Sequence, residues 1–490
     1  MKPASVVTPL ELPVDAPLVV DLDGTLVHTD TLWEGVLARL RGQDRGLGLL
    51  GALLSLRRGR AAFKARLADM ATPDVSTLPI NRELVDWLRG QRAAGRTLVL
   101  ATASDRRVAQ AVARRLGLFD EVLASDGRRN LKGPEKAAAL IERFGAGGFD
   151  YVGDARADLP VWRAARQAVV VGGSTLADAA GRVAKVARTF TPPSRGAALV
   201  RALRPHQWVK NLLLLLPLIA AHQLGDSTAL LAAALAFAAF SLTASAVYVL
   251  NDLLDLLADR AHPRKRERPF AAGTLPLAWG LMLAPVLMLV AFGLSLALLP
   301  PLFTLLLGGY VVLTTAYSVS LKRQPVTDVI VLAALYTVRV IAGAAAIAVA
   351  PSFWLLVFSM FIFLSLALCK RYAELTGLLK LGELTAAGRG WHVDDLPLVE
   401  SLGTGAGLTC VLVLALYVDS TSAKQLYATP EVLWLICPLL LFWISRLWLK
   451  THRAQMHDDP VAFALRDRVS IGIGAITAAI VLVANTGLPL

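Results

Sequence analysis

Two aspartates lie two positions apart near the start of the chain, in the sequence VVDLDGTLVHTD. Asp21 and Asp23 directly follow a short apolar run, and Gly24 and Thr25 continue as turn residues. Two carboxylates at the end of a strand project into the same loop and can divide the work of phosphoryl transfer. We expect Asp21 to attack phosphorus and form an aspartyl phosphate, while Asp23 protonates the departing alkoxide and then activates water.

Further polar residues follow in an order that fits the same chemistry. Thr102 ends the apolar run LVLAT, Lys136 lies in GPEKAAAL, and Asp154 and Asp158 lie in YVGDARAD. Thr102 and Lys136 are expected to hold the phosphoryl oxygens. Carboxylate and carbonyl oxygens are the ligands that Mg²⁺ prefers. The predicted Mg ligands are Asp21, Asp23 through its main-chain carbonyl, Asp154 and Asp158.

A second acidic group occurs in YVLNDLLDLLADRAHPRKRERPFAAG. On a helix, Asn251, Asp252, Asp255 and Asp259 fall within an arc of about 100°. Carboxylates grouped beside basic residues suit Mg²⁺ bridging to a diphosphate, because acidic groups at the edge of a bilayer are costly without a cation. The basic residues expected to bind the remaining phosphate oxygens are Lys265, Arg266 and Arg268. The alternative is a solvated helix end beside arginines that only set membrane topology.

The elements that position the first group form an α/β pattern over residues 17 to 190. Short apolar runs alternate with helical segments, which predicts a Rossmann-like parallel sheet with ligands at the carboxyl ends of its strands. The predicted strands are Leu18 to Val20, Thr97 to Ala101, Glu121 to Ala124, Tyr151 to Val152 and Ala168 to Val171. Residues 31 to 90, roughly, are expected to form a helical cap. We predict a soluble domain over residues 1 to 195 and a linker with an interfacial helix over residues 196 to 210.

The rest of the chain, 211 to 490, is predicted to be an all-α polytopic membrane bundle. The whole chain is 55% hydrophobic with a mean hydropathy of +0.56, beyond what a soluble core needs. We predict about nine spans, at roughly 211 to 223, 228 to 250, 278 to 299, 301 to 317, 328 to 350, 353 to 369, 402 to 418, 431 to 448 and 470 to 487.

Charge and cysteine content exclude other classes. The net charge of +13 falls mainly in short loops between apolar spans, so membrane topology explains it better than nucleic-acid binding. One set of alternate loops carries most of these basic residues, whereas the opposite set holds only Lys424. The N-terminus lacks the pattern of a signal peptide. We therefore expect a multi-pass protein of the cytoplasmic membrane with its N-terminal domain in the cytoplasm. The three cysteines lie in or beside apolar spans and indicate neither disulfides nor a metal site.

Two charges lie inside the predicted fifth span. Asp328 and Arg339 are 11 residues apart, about three helical turns, so they share one face of that helix. Such charges usually face a polar cavity, and Asp328 is expected to act at the Mg or ribose site. For Arg339 the alternative is a buried structural ion pair. Lys210 is expected to meet a phosphate or to anchor the chain at the membrane surface. His457, Asp458 and Asp459, in MHDDP, are interpreted as loop structure, and the alternative is a metal site.

The ordered motifs over residues 17 to 190 resemble the haloacid dehalogenase-like (HAD) phosphatases. The NDxxDxxxD pattern resembles the UbiA family of intramembrane prenyltransferases over about residues 200 to 490. That resemblance implies an all-helical bundle that binds a diphosphate through Mg. Where a typical aromatic prenyltransferase of the family carries a second Asp-rich motif, this chain has LALCKRYAEL.

This departure resembles one branch of the family, the decaprenyl-phosphate phosphoribosyltransferases, as do RPHQWVKNLLLLLPL and MHDDPVAFALRDRVS. The resemblance implies 5-phosphoribosyl 1-diphosphate as donor and a polyprenyl phosphate as acceptor. It also implies further substrate-binding residues: Tyr317, Lys322, Lys370, Arg371 and Glu374. We expect the phosphatase half to dephosphorylate the lipid-linked product. The alternatives are an aromatic prenyltransferase and a transporter with a regulatory soluble half. Acceptor chain length and oligomeric state stay open.

Overall fold

The computed structural model describes residues 14–41, 63–64, 66–67, 69, 74–126, 129–385, 389–456 and 459–486. Of the predicted cap, 31 to 90, the stretches 42–62 and 70–73 and the single positions 65 and 68 lie outside these residues. The chain divides into two compact units. The first combines Met1–Leu203 with Tyr248–Ala284, and the second combines Arg204–Val247 with Pro285–Leu490. We call Tyr248–Ala284 the Asp-rich segment. The predicted boundaries assign this segment to the membrane domain, but it packs within the first unit.

The first unit contains the predicted parallel sheet. Its six strands have the order β3-β2-β1-β4-β5-β6, and every pairing is parallel. Five strands match the predicted apolar runs, whereas β6, with its mixed sequence KVARTF, was not predicted. The strands are β1 Leu18–Val20, β2 Leu98–Asp105, β3 Glu121–Ser125, β4 Asp150–Gly153, β5 Gln167–Val171 and β6 Lys185–Phe190.

Helices of this unit connect the strands and continue into the linker and the Asp-rich segment. Some of their ends have clear sequence causes: Asn81 accepts a hydrogen bond from Leu84 N–H at the start of one helix, and Gly117 ends another in the left-handed region. The helices are α1 Thr31–Arg41, α2 Arg82–Ala93, α3 Arg106–Leu116, α4 Pro134–Phe144, α5 Leu159–Ala164, α6 Ser174–Gly181 and α7 Arg195–Leu203.

β1 lies at the centre of the sheet, between β2 and β4. All three of its residues are fully buried, so the loop that follows is anchored on a rigid strand. From β1 the chain adds β2 and β3 toward one edge of the sheet, and then β4, β5 and β6 toward the other edge. Ligands of such sheets bind where this order changes, beyond the carboxyl ends of the strands. Asp21 and Asp23 are therefore in the position where the topology favours a ligand.

A separate hydrophobic cluster joins the Asp-rich segment to the rest of the first unit. Leu37 of α1 and Ala198 of α7 pack with Val249, Leu253 and Phe270. Beside this cluster Arg260 forms a two-pronged ion pair with Glu34, with distances of 2.6 and 3.1 Å. Both side chains are about 5% exposed or less, so the pair is buried. Glu34 and Arg260 lie far apart in the sequence, so the sequence alone did not indicate this contact.

The remaining helices follow in chain order. The Asp-rich segment contains the end of α9 Ser227–Leu254, the whole of α10 Leu256–Ala261 and the start of α11. The helices after the linker are α8 Leu216–Ala220, α9, α10, α11 Leu277–Leu298, α12 Pro301–Val319, α13 Pro325–Ala346, α14 Phe353–Leu381, α15 Leu396–Asp419, α16 Thr421–Leu426, α17 Ile436–His452, α18 Pro460–Ala464 and α19 Arg468–Thr486.

Eight helices among the described residues are long and apolar enough to cross a membrane, rather than the nine spans predicted. The difference is the first predicted span, 211 to 223. There the chain forms a 3₁₀ helix, Pro205–Leu215, followed by the five-residue α8, so it does not qualify as a long α-helix. At about 2.0 Å per residue for the 3₁₀ part and 1.5 Å for the α part, this segment still has a length of roughly 30 Å.

Candidate active sites

The carboxylate of Asp21 lies at the inner end of a cavity in the first unit. Leu22 N–H donates to it at 2.8 Å, and Lys136 Nζ lies 2.8 Å from its other oxygen. The side chain is 13% exposed, so one face stays accessible from the cavity. An anionic oxygen held by a buried cation and open on one side is suitably placed to attack phosphorus.

Asp23 has a different environment. Thr31 N–H donates to one of its oxygens at 2.8 Å, and the hydroxyl of Ser104 donates to the other. Burial, reinforced by the negative charge of Asp30, raises the pKa of Asp23 to about 6. A carboxyl group with a raised pKa retains a proton closer to neutral pH, as a general acid requires. The two aspartates thus differ in their surroundings, and their roles as nucleophile and general acid stay predictions.

A buried network supports Asp21 from β4. The hydroxyl of Tyr151 accepts from Lys136 Nζ at 2.8 Å and lies 3.0 Å from Asp158 Oδ1 and 3.3 Å from Asp21 Oδ2. Lys136 is 3% exposed and stands at the start of α4. The network fixes Lys136 against Asp21, where it can also neutralise an incoming phosphoryl group.

Asp21, Asp154 and Asp158 form the one group of three potential metal ligands in the described residues whose ligand atoms lie within 4.8 Å of one another. The predicted ligands Asp252, Asp255 and Asp259 are not brought together in this way. Burial and the charge of Asp21 raise the pKa of both Asp154 and Asp158, the latter to about 6. Mutually repelling carboxylates with only hard oxygen donors fit Mg²⁺. Gly24 makes room for this group, since its φ is +75° and a Cβ there would lie 2.1 Å from Asp154 Oδ2.

Thr102 does not take the predicted position. Its side chain is fully buried, and its hydroxyl oxygen accepts from Ser104 N–H at 3.0 Å. It is absent from the residues that line the cavity. The prediction that Thr102 holds a phosphoryl oxygen is therefore not supported, because the hydroxyl is used inside the turn that presents Ser104.

The cavity around Asp21 has a volume of about 960 Å³. One wall consists of Gly273, Thr274 and Pro276 from the Asp-rich segment. Gly273 has a φ of +72°, and a Cβ there would lie 2.4 Å from the carbonyl oxygen of His28. Lys64, from the predicted cap, also lines the cavity and donates to the carbonyl of Ala103 at 2.7 Å. The space greatly exceeds a phosphate group and suits a larger substrate.

The carboxylates of the Asp-rich segment are arranged around Arg268. Its guanidinium lies 2.6 Å from Asp259 and 3.1 Å from Asp252, and both carboxylates are almost completely buried. Asp252 lies in α9 and Asp259 in α10, so the single helix on which the prediction placed them is interrupted at Asp255, although both carboxylates contact Arg268. Asp255 stands between α9 and α10 and is exposed. Asn251 is half-buried near the end of α9, and Lys265 and Arg266 are exposed in a short 3₁₀ helix.

Asp328 is the centre of a buried cluster in the second unit. It accepts from Tyr317 OH at 2.8 Å and from Trp391 Nε1 at 2.9 Å, and it pairs with Arg371 at 2.7 Å. Arg371 also pairs with Glu374. The Asp328 carboxylate already has these donors, so the geometry favours a role in positioning Arg371 over metal ligation. Lys322 is half-buried in a 3₁₀ helix before α13.

Arg339 lies on the same helix as Asp328 but does not pair with it. Its guanidinium donates to Asn211 Oδ1 at 2.9 Å and to Tyr310 OH at 3.2 Å, and it lies over the rings of Phe240 and Tyr310. It forms no ion pair with a carboxylate of the described residues, so the alternative of a buried ion pair is wrong for that part of the chain. Aromatic faces and carbonyl groups stabilise this buried cation instead.

A second cluster of this unit joins Lys210, Lys370 and Asp459. The two ammonium groups lie 2.8 and 3.2 Å from the same oxygen of Asp459, and Tyr336 OH lies 3.2 Å from the other. Burial opposes the charge on Asp459, but Lys370 and Lys210 outweigh it and hold its pKa below the usual range. Asp459 is thus more than the loop residue that its sequence suggested; His457 and Asp458 lie outside the described residues.

Several residues of these sites had no sequence signal that indicated their contacts. Tyr151 occupies β4 two positions before the GD of its motif, and Ser104 follows Thr102 by two, so proximity to a motif was the one available indication. Trp391 and Asp459 are far in sequence from the residues that they contact. Only the folded chain brings them to their partners.

Comparison with known proteins agrees with both halves of this description. The profile of the UbiA prenyltransferase family matches residues 212–469, and that of the haloacid dehalogenase-like hydrolases matches residues 18–163. The chain therefore belongs to the UbiA prenyltransferase family and carries a HAD-like domain at its N-terminus. With its eight long apolar helices it is a multi-pass membrane protein.

Three relatives refine the comparison. The uncharacterized protein y4nM of Sinorhizobium fredii is 38% identical over 467 residues, covering 94% of this chain and 90% of that protein. The nodulation protein NoeC of Azorhizobium caulinodans is 37% identical over 272 residues, covering 55% of this chain and 87% of its own. Decaprenyl-phosphate phosphoribosyltransferase of Mycobacterium tuberculosis is 34% identical over 291 residues, covering 57% of this chain and 92% of its own. The two-domain fusion thus extends over nearly all of the first relative.

Proposed function

We propose that the chain is a bifunctional enzyme. Its membrane bundle transfers 5-phosphoribose from 5-phosphoribosyl 1-diphosphate to a polyprenyl phosphate, and its HAD-like domain removes the 5-phosphate from the lipid-linked product. The observation that carries the proposal is the complete set of reacting groups around Asp21, in the same chain as a bundle that is similar to decaprenyl-phosphate phosphoribosyltransferases. A fusion raises the local concentration of the second catalyst for the product of the first.

The phosphatase step uses Asp21 and Asp23 in sequence. Asp21 attacks phosphorus as the bond to the ribose 5-oxygen breaks, and the proton of Asp23 goes to the departing alkoxide. Water then attacks the aspartyl phosphate, its proton goes to Asp23, and inorganic phosphate leaves with Asp21 regenerated. Lys136 holds the phosphoryl oxygens against Asp21. Mg²⁺ bound by Asp21, Asp154 and Asp158 would neutralise the phosphoryl group during both steps.

For the transfer step, Asp252, Asp255 and Asp259 are proposed to bind a Mg-diphosphate. Asp252 and Asp259 supply two buried hard-oxygen donors that both contact Arg268, and Arg268 can turn to phosphate oxygens. The anomeric C–O bond breaks with its electron pair on the diphosphate, and an oxygen of the acceptor phosphate bonds to that carbon. This acceptor is mostly ionised near neutral pH, since its second pKa is about 6, so the step requires no strong base.

Cations of the second unit support a donor and an acceptor that are both rich in phosphate. Lys210 and Lys370 share one carboxylate, and Arg371 is held in place by Asp328. We propose that these cations, with Arg339, bind phosphate groups of the substrates. The same residues argue against the rival aromatic prenyltransferase, because Lys370 and Arg371 stand where that class carries a second group of Mg-binding carboxylates.

We further propose that the protein lies in the cytoplasmic membrane with the HAD-like domain in the cytoplasm. The bias of Lys and Arg toward one set of loops supports this orientation. The 3₁₀ segment Pro205–Leu215 with α8 is roughly as long as the hydrocarbon core is thick, which is compatible with a crossing before α9.

The decisive experiment incubates the purified full-length protein with 5-phosphoribosyl 1-diphosphate, a polyprenyl phosphate and Mg²⁺, followed by mass spectrometry of the lipids. Wild type is expected to make lipid-linked ribose, and Asp21→Asn to accumulate the 5-phosphate form. Asp255→Ala is expected to make neither, and Asp419→Ala, which removes another exposed carboxylate, to behave like wild type. Use of a prenyl diphosphate in place of the ribose donor would replace the transferase assignment with the aromatic prenyltransferase.

A further inference from the structure

The mouth of the phosphatase cavity carries cations that the phosphatase chemistry does not use. Lys132, Arg156 and Arg195 all line the cavity and are exposed. None of the three forms an ion pair or a side-chain hydrogen bond with another described residue. They differ in this from Lys136, which is buried and paired with Asp21 at the inner end. Exposed cations without carboxylate partners are available to a ligand.

Topology places the three cations on one side of the domain. Lys132 follows β3, Arg156 follows β4, and Arg195 follows β6, so each stands in a segment beyond the carboxyl end of a strand. In a parallel sheet these ends meet at one edge, the edge that binds ligands. The lining carboxylates include Asp154 and Asp158, and Arg156 lies between these two in the loop after β4. Exposure separates the two kinds of group: both carboxylates are buried or half-buried, whereas all three cations are exposed.

The size of the cavity indicates how much substrate it holds. At about 960 Å³ it is at the upper end of ordinary ligand pockets and far exceeds a single phosphate. A substrate that places its phosphomonoester at Asp21 would extend its leaving group toward the mouth. The lipid-linked 5-phosphoribose of the proposed function has a second anionic group there, the phosphodiester between ribose and lipid.

We propose that Lys132, Arg156 and Arg195 form a second anion site, which binds the phosphodiester on the leaving-group side of a phosphomonoester substrate. This proposal rests on the proposed function and adds the basis of its specificity. The site distinguishes the lipid-linked sugar phosphate from simple sugar phosphates, because only the former places a negative charge at both ends of the cavity. Charge-assisted contacts with phosphate oxygens are the strong kind of hydrogen bond.

The test compares two soluble substrates with the full-length protein in detergent micelles. One is ribose 5-phosphate with a short-chain phosphodiester at its anomeric carbon, and the other is methyl riboside 5-phosphate. Phosphate release is measured for wild type and for Lys132→Met, Arg156→Met and Arg195→Met. The control is Arg163→Met, which removes an exposed arginine of the same unit that does not line the cavity.

Each of the three substitutions is expected to raise KM for the phosphodiester substrate about threefold to tenfold without changing kcat, and to leave the methyl riboside unaffected. Arg163→Met leaves both substrates unchanged. Added salt raises KM only for the phosphodiester substrate, because the contacts are exposed.

The outcomes separate two kinds of failure. If wild type hydrolyses both substrates equally well, or the substitutions change neither, the second anion site is wrong while the phosphatase assignment survives. If the substitutions weaken binding to vesicles of anionic lipid but not KM, these cations serve the membrane surface and the proposal also falls. If neither substrate releases phosphate, the proposed phosphatase substrate is wrong, and the second anion site falls with it.

Discussion

The buried pair between Glu34 and Arg260 offers a quantitative test of how the Asp-rich segment is joined to the phosphatase fold. The Arg260 guanidinium makes two contacts with Glu34 and a third with the carbonyl of Ala271 at 3.2 Å, and Thr29 donates to Glu34 at 2.7 Å. Arg260→Met removes the cation and leaves the carboxylate of Glu34 buried with only the hydroxyl of Thr29. Breaking one side of a buried pair typically costs about 3 to 5 kcal/mol.

The number of residues in the unit relates this loss of unfolding free energy to a shift in melting temperature. For a unit of about 240 residues, 1 kcal/mol corresponds to about 2 to 4 °C, so the expected loss is roughly 6 to 20 °C. The assay is thermal unfolding of the full-length protein in detergent, followed by tryptophan fluorescence. The double variant Glu34→Leu, Arg260→Met should recover most of the loss, because an apolar pair of similar volume replaces two charges without leaving one unpaired.

A surface pair supplies the matched control. Arg89 and Asp86 are 2.7 Å apart but 59% and 70% exposed, so Arg89→Met should change stability by less than about 1 kcal/mol. Two results would refute the reasoning: an Arg260→Met variant as stable as Arg89→Met, or a double variant whose loss is the sum of the two single losses. Either would mean that the pair does not stabilise the association of the Asp-rich segment with α1.

Three further predictions concern the sites themselves. Asp154→Asn should abolish phosphate release while transfer continues, so that the 5-phosphate lipid accumulates and is detected by mass spectrometry. Chelation of the metal should stop both reactions, and added Mg²⁺ should restore them. Phosphate release that survives chelation would contradict the metal assignment. Gly273→Ala should lower phosphatase activity at least severalfold, because the new Cβ would meet the carbonyl of His28. The control Gly95→Ala, at a glycine that is also left-handed but has open space around it, should cost only about 1 to 2 kcal/mol of stability. Equal activity in the two variants would show that the cavity wall at Gly273 tolerates displacement. Asp459→Asn should reduce transfer about tenfold or more without affecting phosphate release, since its two lysine partners would repel each other uncompensated; unchanged transfer in a radiolabelled-donor assay would exclude these lysines from substrate binding.

The phosphatase site could be predicted from sequence because its reacting groups lie in short motifs attached to strands. Lys136 contacts Asp21, and both line one cavity with Asp23, since parallel strands bring their carboxyl ends to one edge. Thr102 was misjudged because a hydroxyl at the end of a strand can turn either to a ligand or to the next backbone N–H, and sequence does not distinguish the two. Tyr151 was missed because an aromatic residue in a buried strand is usually only core.

The membrane bundle was harder to predict because helical periodicity describes one helix at a time. Periodicity gave Asp328 a possible partner on its own helix, Arg339, but the partner in the structure is Arg371 on α14. Which faces of two helices meet depends on packing that a single sequence does not reveal. The first predicted span differs for a related reason: hydropathy records apolar content but not whether the backbone forms an α-helix or, as here, a 3₁₀ helix followed by a short α-helix. That this segment crosses the membrane stays a prediction.

The cluster that joins α1 and α7 to the Asp-rich segment limits where such a fusion can be cut, either in protein engineering or by recombination during evolution. A chimera that cut the chain after residue 203 and attached the phosphatase to another bundle would separate Glu34 from Arg260 and remove Gly273 from the cavity wall. It would also expose the side chains that now pack against Phe270. The HAD-like domain and the membrane bundle are therefore not independently exchangeable. A recombination event or a design that transplants the phosphatase must carry residues 248–284 with it.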